Sequence, residues 1–183
     1  MTLNEVLKNT NYDVSLFSEE ARKYVEDAIV VKTIRGKESL FIKCLKRDKE
    51  IALKPEEAVR QLYLYKLIHE YGYPTSRIEV EFPIHFGREV KRADIAIMDK
   101  DRLMVPYIIV ELKKPKLTDG KEQLKSYCNA TGAPIGVWTN GEQISYYNRK
   151  DPKGIKISNF FVTKFRFLRL TYEAEGGDDK YGL

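Results

Sequence analysis

Cysteine is nearly absent: Cys44 and Cys128 are the only two in 183 residues. Two thiols are too few for a disulfide framework or a thiolate zinc site, so both read as buried thiols in a reducing compartment. Histidine is equally scarce, and His69 and His85 stand too far apart in pattern to form an evident metal pair. No window holds the roughly 18 consecutive apolar residues that a membrane helix requires. The opening MTLNEVLKNT lacks the basic and then apolar start of a secretion signal. These absences lead to the expectation of a cytoplasmic protein without a membrane partner. No internal repeat appears, and no charge sign dominates: 32 Lys and Arg stand against 27 Asp and Glu. The resulting net charge of +5 suits a polyanionic partner without requiring one.

What is present suffices for one core. A hydrophobic content of 43% over this length predicts a single domain spanning residues 1–172, with its core over about 54–148. A Gly-rich, acidic stretch at 173–183 reads as a tail or linker. Ser18, followed by Glu19 and Glu20, predicts the start of a short helix that runs into a strand. LFIKCLKRDKEIAL reads as strand material around a charged turn. In KPEEAVRQLYLYKLIHEYGYP, Pro55 in the first turn and Glu56 and Glu57 at the positive end of the dipole predict a helix, stopped by Gly72 and Pro74. Glu57, Gln61, Leu64 and Ile68 form one line along it, so the Glu57 carboxylate leans toward the interior.

RIEVEFPIHFG alternates Ile78, Val80, Phe82, Ile84 and Phe86 with polar neighbours and turns at Gly87-Arg88-Glu89, which predicts a hairpin with KRADIAIMD. A period of two puts Ala93, Ile95 and Ile97 on one face and Asp94, Ala96 and Met98 on the other. In the next strand, YIIVELK, Ile108, Val110 and Leu112 share one face, and Tyr107, Ile109, Glu111 and Lys113 share the opposite one. Two charges on the end of a core strand are costly unless they do something there. After Pro115, Asp119 and Glu122 have capping-box spacing, and Gln123 and Tyr127 project from one face of the helix that follows. Asn140-Gly141 then marks a second hairpin.

A phosphodiester is hydrolysed by bringing hydroxide to a phosphorus screened by anionic oxygens and stabilising the charge that builds up there. Magnesium serves with one or two carboxylates and several waters. Asp94 and Glu111, on adjacent strands with faces that can match, fit that need. Lys113 beside them can hold the attacking water or neutralise the phosphate. Its charge also offsets the repulsion between the two carboxylates. At 32% charged residues an isolated Glu-x-Lys arises by chance. The ordered set is what points to a site.

These residues resemble the PD-(D/E)XK nuclease superfamily, and within it the N-terminal nuclease domain of the R subunit of type I restriction enzymes, over about Lys54 to Asn148. Asp94 in KRADIAI looks like the strand acid, Glu111-Leu112-Lys113 like the Glu-x-Lys, and Gln123 with Tyr127 like the Gln-x-x-x-Tyr of the following helix, a pair expected to shape the site or contact DNA. Glu57 in PEEAVRQ, with Glu56 its neighbour, looks like the glutamate of the preceding helix, and is expected to serve as an additional ligand or base. Ala93 stands where the superfamily name has proline. The resemblance implies a restriction-endonuclease-like α/β core, a mixed central β-sheet flanked by α-helices. It implies Mg²⁺-dependent cleavage of double-stranded DNA, with Mn²⁺ as a substitute. Motor, methyltransferase and specificity subunits are the implied partners. This chain carries no Gly-x-x-x-x-Gly-Lys-Ser/Thr phosphate loop for a motor, so the expectation is an excised nuclease domain or a free-standing relative. The competing expectation is a module that keeps the nuclease fold but only docks DNA or subunits.

Overall fold

The computed structural model describes residues 2–15, 17–115, 120–140, 144–149 and 155–157. The 173–183 stretch, the Asp119 cap and Gly141 of the second hairpin turn lie outside them. Helix α1 (Leu3–Val6) is closed by a Thr2–Glu5 capping box, and α2 (Glu19–Asp27) by Ser18, whose hydroxyl accepts from the Ala21 N–H. Strands β1 (Ile29–Ile34), β2 (Lys37–Lys43) and β3 (Glu50–Ala52) then form a small antiparallel sheet in that order. The main sheet has six strands in sequence order: β4 (Ile78–Phe86), β5 (Glu89–Met98), β6 (Pro106–Leu112), β7 (Ile135–Thr139), β8 (Ile144–Asn148) and β9 (Ile155–Ile157). All its pairings are antiparallel except β6 with β7, which are joined through helix α4 (Lys121–Thr131). This is the mixed, helix-flanked sheet expected from the sequence. No helix among the described residues is long and apolar enough to cross a membrane.

Helix α3 (Pro55–Tyr65) is buried from Glu57 to Leu64. Its Ala58, Val59, Leu62 and Leu64 share one core with Ala21 and Val25 of α2, Ile42 of β2, and Ile95, Ile97, Ile108, Val110 and Leu112 of the main sheet. The helix is therefore covered on opposite sides, and its polar residues Glu57, Arg60 and Gln61 have to find partners inside the protein. The sequence predicts a helix up to Gly72, but the last turn, Lys66–Glu70, widens into a π-helix. Its His69 stacks on Tyr65, with ring centroids 4.5 Å apart. On the other face of the sheet, Leu124, Tyr127 and Cys128 of α4 pack on Ala96, Ile109 and Trp138. Both cysteines are buried and free.

The alternation along β6 is as predicted, with Ile108, Val110 and Leu112 in the first core and Ile109 in the second. Along β4 and β5 it breaks. Ile78 and Val80 belong to the first core, but Phe82, Ile84 and Phe86 lie in or against the second. Ala93 likewise lies in the second core, apart from the Ile95 and Ile97 with which the period of two groups it. The cause is Glu81, held at φ +52° between the rungs Val80↔Ile95 and Phe82↔Ala93. A left-handed residue rotates the strand and exchanges its faces, at a cost that a non-glycine side chain meets only where neighbours over-determine it. Asp94 lies opposite, at the same break.

Candidate active site

The polar residues of α3 converge at this break. Arg60 Nη1 lies 2.5 Å from Glu57 Oε2 and 3.4 Å from Glu81 Oε1, and its Nη2 donates to Asp94 Oδ1 at 2.7 Å. The other Glu57 oxygen accepts from Gln61 Nε2 at 2.7 Å, and Gln61 Oε1 accepts from the Leu45 N–H at 2.9 Å. Arg47, in the loop after β2, places Nη1 3.3 Å from Glu81 Oε2. Burial works against the Arg60 charge, but Glu57, Asp94 and Glu81 outweigh it and raise its pKa above the ordinary guanidinium value. Glu57 is 7% exposed, whereas Glu56 faces solvent. The Tyr12 hydroxyl completes this side. Burial first, then the charges of Glu56 and Asp94, push it up to about 12.

The second half of the site comes from β6 and α4. The last β5–β6 rung at this end is Ile95↔Val110; beyond it the strands part, and Asp94 Oδ2 takes the place of a backbone carbonyl by accepting from the Leu112 N–H at 2.8 Å. Glu111, the next residue back, is 4% exposed. Its Oε1 accepts from Lys113 Nζ at 2.8 Å, while its Oε2 is buried and has no hydrogen-bond partner among the described residues. Lys113 Nζ also donates to Gln123 Oε1 at 3.2 Å, and Gln123 Nε2 in turn donates to the Tyr127 hydroxyl. Tyr127 is 1% exposed and lies against Phe86, so it reaches the site only through Gln123. Gly120, the N-cap residue of α4 at φ +86°, closes over the lysine so tightly that a Cβ there would sit 2.4 Å from Lys113 Cε.

The two halves sense each other electrostatically. Burial, followed by the Asp94 charge, holds the Glu111 carboxyl up to about 7 against the opposing pull of Lys113 and Arg60. The folded protein therefore keeps this proton to a higher pH than the unfolded chain does. This group's contribution to stability is greatest below about 4.5 and is lost as pH rises toward 7, by up to roughly 1.4 kcal/mol per pH unit. Urea unfolding in chelator at a series of pH values is expected to show that slope in the wild type and not in Glu111→Gln. An equal slope in both would remove the assignment.

All six residues singled out in the sequence, Glu57, Asp94, Glu111, Lys113, Gln123 and Tyr127, thus lie in one connected network, although Glu57 joins it through Arg60. Four participants went unnoticed. Arg60 had a readable signal, three residues after Glu57 on a buried helix. Glu81, Arg47 and Tyr12 had none, because each is brought in by tertiary contacts.

An aspartate and a Glu-x-Lys on neighbouring strands, at the open end of a mixed sheet between two helices, describe a restriction-endonuclease-like α/β domain. The chain belongs to the family described as the N terminus of the type I restriction enzyme R protein, which matches residues 55–160, more than half its length. A comparison with curated proteins finds no match. Among solved structures, a fragment described as an HsdR subunit of a type I restriction enzyme from Vibrio vulnificus is 24% identical, with a TM-score of 0.48. The similarity covers 68% of this chain and 26% of that one, so the chain spans about a quarter of that fragment. A protein from Anabaena variabilis described as a nuclease is 14% identical, with a TM-score of 0.44 and 90% of each chain covered.

Proposed function

We propose that this chain is a metal-dependent endonuclease domain that hydrolyses phosphodiester bonds of double-stranded DNA. The observation that carries the reading is the buried Glu111 Oε2, which has no hydrogen-bond partner among the described residues, on a carboxylate paired with Lys113 and acted on by the Asp94 charge. A lone carboxylate oxygen in a buried site is expensive unless a cation or a donor occupies the space next to it. Among the described residues no trio of His, Cys, Asp and Glu is arranged to hold an ion. The donor set in this reading is Asp94 and Glu111 completed by water, which suits Mg²⁺, or Mn²⁺ in its place. Each Asp94 oxygen already accepts one hydrogen bond and keeps a second lone pair.

When bound, the ion would polarise the scissile phosphate and lower the pKa of an attacking water. Lys113, fixed by Glu111 and Gln123, holds that water or neutralises a phosphate oxygen. Gln123 and Tyr127 keep the ammonium on its strand face. Both oxygens of Glu57 are taken by Arg60 and Gln61, which makes it a positioning residue: it holds the guanidinium that holds Asp94. In a full restriction complex, motor, methyltransferase and specificity subunits would be the partners of the chain.

The test is nicking of supercoiled DNA with and without Mg²⁺ or Mn²⁺, alongside calorimetric titration of the ion. Asp94→Asn and Glu111→Gln, which preserve shape, are expected to abolish both cleavage and ion binding. A second reading, a docking module without chemistry, draws on the engagement of Asp94 by Arg60 and the Leu112 N–H. Absence of ion binding in the wild type would select it.

A further inference from the structure

The positive charge of this chain is concentrated in one place. Residues 28–54, which contain the small sheet, hold eight Lys and Arg (Lys32, Arg35, Lys37, Lys43, Lys46, Arg47, Lys49, Lys54) and three acids (Glu38, Asp48, Glu50), a net of 8 − 3 = +5. The remainder holds 32 − 8 = 24 cations and 27 − 3 = 24 anions, so this one segment carries the whole net charge of the protein. Arg35, Lys37, Lys49 and Lys54 have no ion-pair partner among the described residues, and the Lys32–Glu50 and Lys43–Asp48 pairs are open to solvent. Exposed pairs of that kind neutralise little.

The shape of the segment is equally specific. Every residue from Val31 to Glu38 is exposed, so the tip of the β1–β2 hairpin projects as a two-stranded ribbon, while its base packs through Ile42 on the core and pairs with β3. Val31, at 50% exposure, and Ile34, at 45%, lie uncovered among the cations. Ile34 pairs with Lys37 around the two-residue turn Arg35-Gly36, with φ +52° and +75°. That turn favours Asn, Asp or Gly in its first position, and a long cation there is strained. At its far end the sheet abuts the acid network, through Arg47 on Glu81 and Lys46 on Glu79. Seven residues of β2 span about 20 Å, a length over which duplex DNA presents about a dozen phosphates. A two-stranded ribbon is also one of the shapes the major groove admits.

We propose that the β1–β2 hairpin is a docking arm for duplex DNA, in which Arg35 and Lys37 at the tip and Lys32, Lys43 and Lys49 along the sheet contact phosphates and lead the duplex toward the break at Asp94. The arm adds a binding surface to the nuclease reading, but it is testable without turnover. Anisotropy of a labelled 20-base-pair duplex, titrated in chelator at a series of salt concentrations, reads binding alone. Arg35→Ala/Lys37→Ala is expected to weaken affinity at least tenfold at low salt and to reduce the slope of log K against log salt by about 2. Lys37→Arg is expected to retain the wild-type slope, and Lys23→Ala, on the exposed side of α2, to leave it unchanged. No binding by the wild type, an unchanged slope in the double variant, or an equal loss in Lys23→Ala would each overturn the arm. If the arm fails while the wild type still nicks DNA with Mg²⁺, the nuclease reading stands. If binding follows the arm but no variant or wild type ever nicks, the nuclease reading falls alone.

Discussion

Arg60→Ala is expected to lower the stability of the folded chain by about 3–5 kcal/mol, the cost of leaving buried charges without their counter-ion. One guanidinium serves Glu57, Glu81 and Asp94 at once, and both it and Glu57 are almost fully buried. In alanine's place those carboxylates lose the cation they share, and of the three Arg47 pairs only with Glu81. Urea unfolding is expected to show a lower midpoint with little change in slope. Arg60→Lys should recover only part of the loss, because an ammonium cannot reproduce the fork that reaches Glu57 and Asp94 from two nitrogens. In a Glu57→Gln/Asp94→Asn background, Arg60→Met is expected to cost much less than the single change, since the charges it balanced are gone. A loss below about 1 kcal/mol for Arg60→Ala in the wild-type background would show that the guanidinium does not hold the site together.

Lys113→Ala is expected to slow DNA nicking by a factor on the order of 10²–10³, the usual effect of removing one group that stabilises developing charge. Gly120→Ala is expected to approach that loss without touching a charged residue. The added methyl would overlap Lys113 Cε and crowd Nζ, which lies 3.3 Å from the methyl position, so the ammonium must leave Glu111 and Gln123. The far end of a lysine moves cheaply. The structural cost is mainly that of a left-handed φ, about 1 kcal/mol. The defect should appear in kcat rather than in KM or in the folded fraction. Gly120→Ala cleaving at the wild-type rate would mean that the observed lysine position is not the working one.

Where local pattern decides the structure, the sequence was readable. Pro55, Glu56 and Glu57 mark the start of α3, and the strict alternation of β6 places Glu111 on the α4 face because Ile108, Val110 and Leu112 cannot leave the α3 core. The family resemblance named the residues that lie in the network, from Glu57 to Tyr127. What stayed hidden has a physical reason in each case. Arg60 looks like a solvating residue until α3 is known to be covered on both sides. Glu81 gives no sign of its left-handed backbone, since glutamate has no preference for it, so the exchange of faces in β4 and β5 could not be foreseen. The small sheet was read only as strand material around a turn, because its role follows from where its charges sit in space.

Asp94 does two jobs with its two oxygens: Oδ2 closes the ladder where β5 and β6 part, and Oδ1 anchors Arg60. Substitution at this position is therefore not neutral for this chain, whatever the site does. A lineage whose site did no chemistry could not discard this aspartate cheaply, because the same substitution would open the backbone and loosen the helix. Selection for mere persistence of the fold would preserve an acid in this position, and its presence in a silent descendant would record architecture rather than activity.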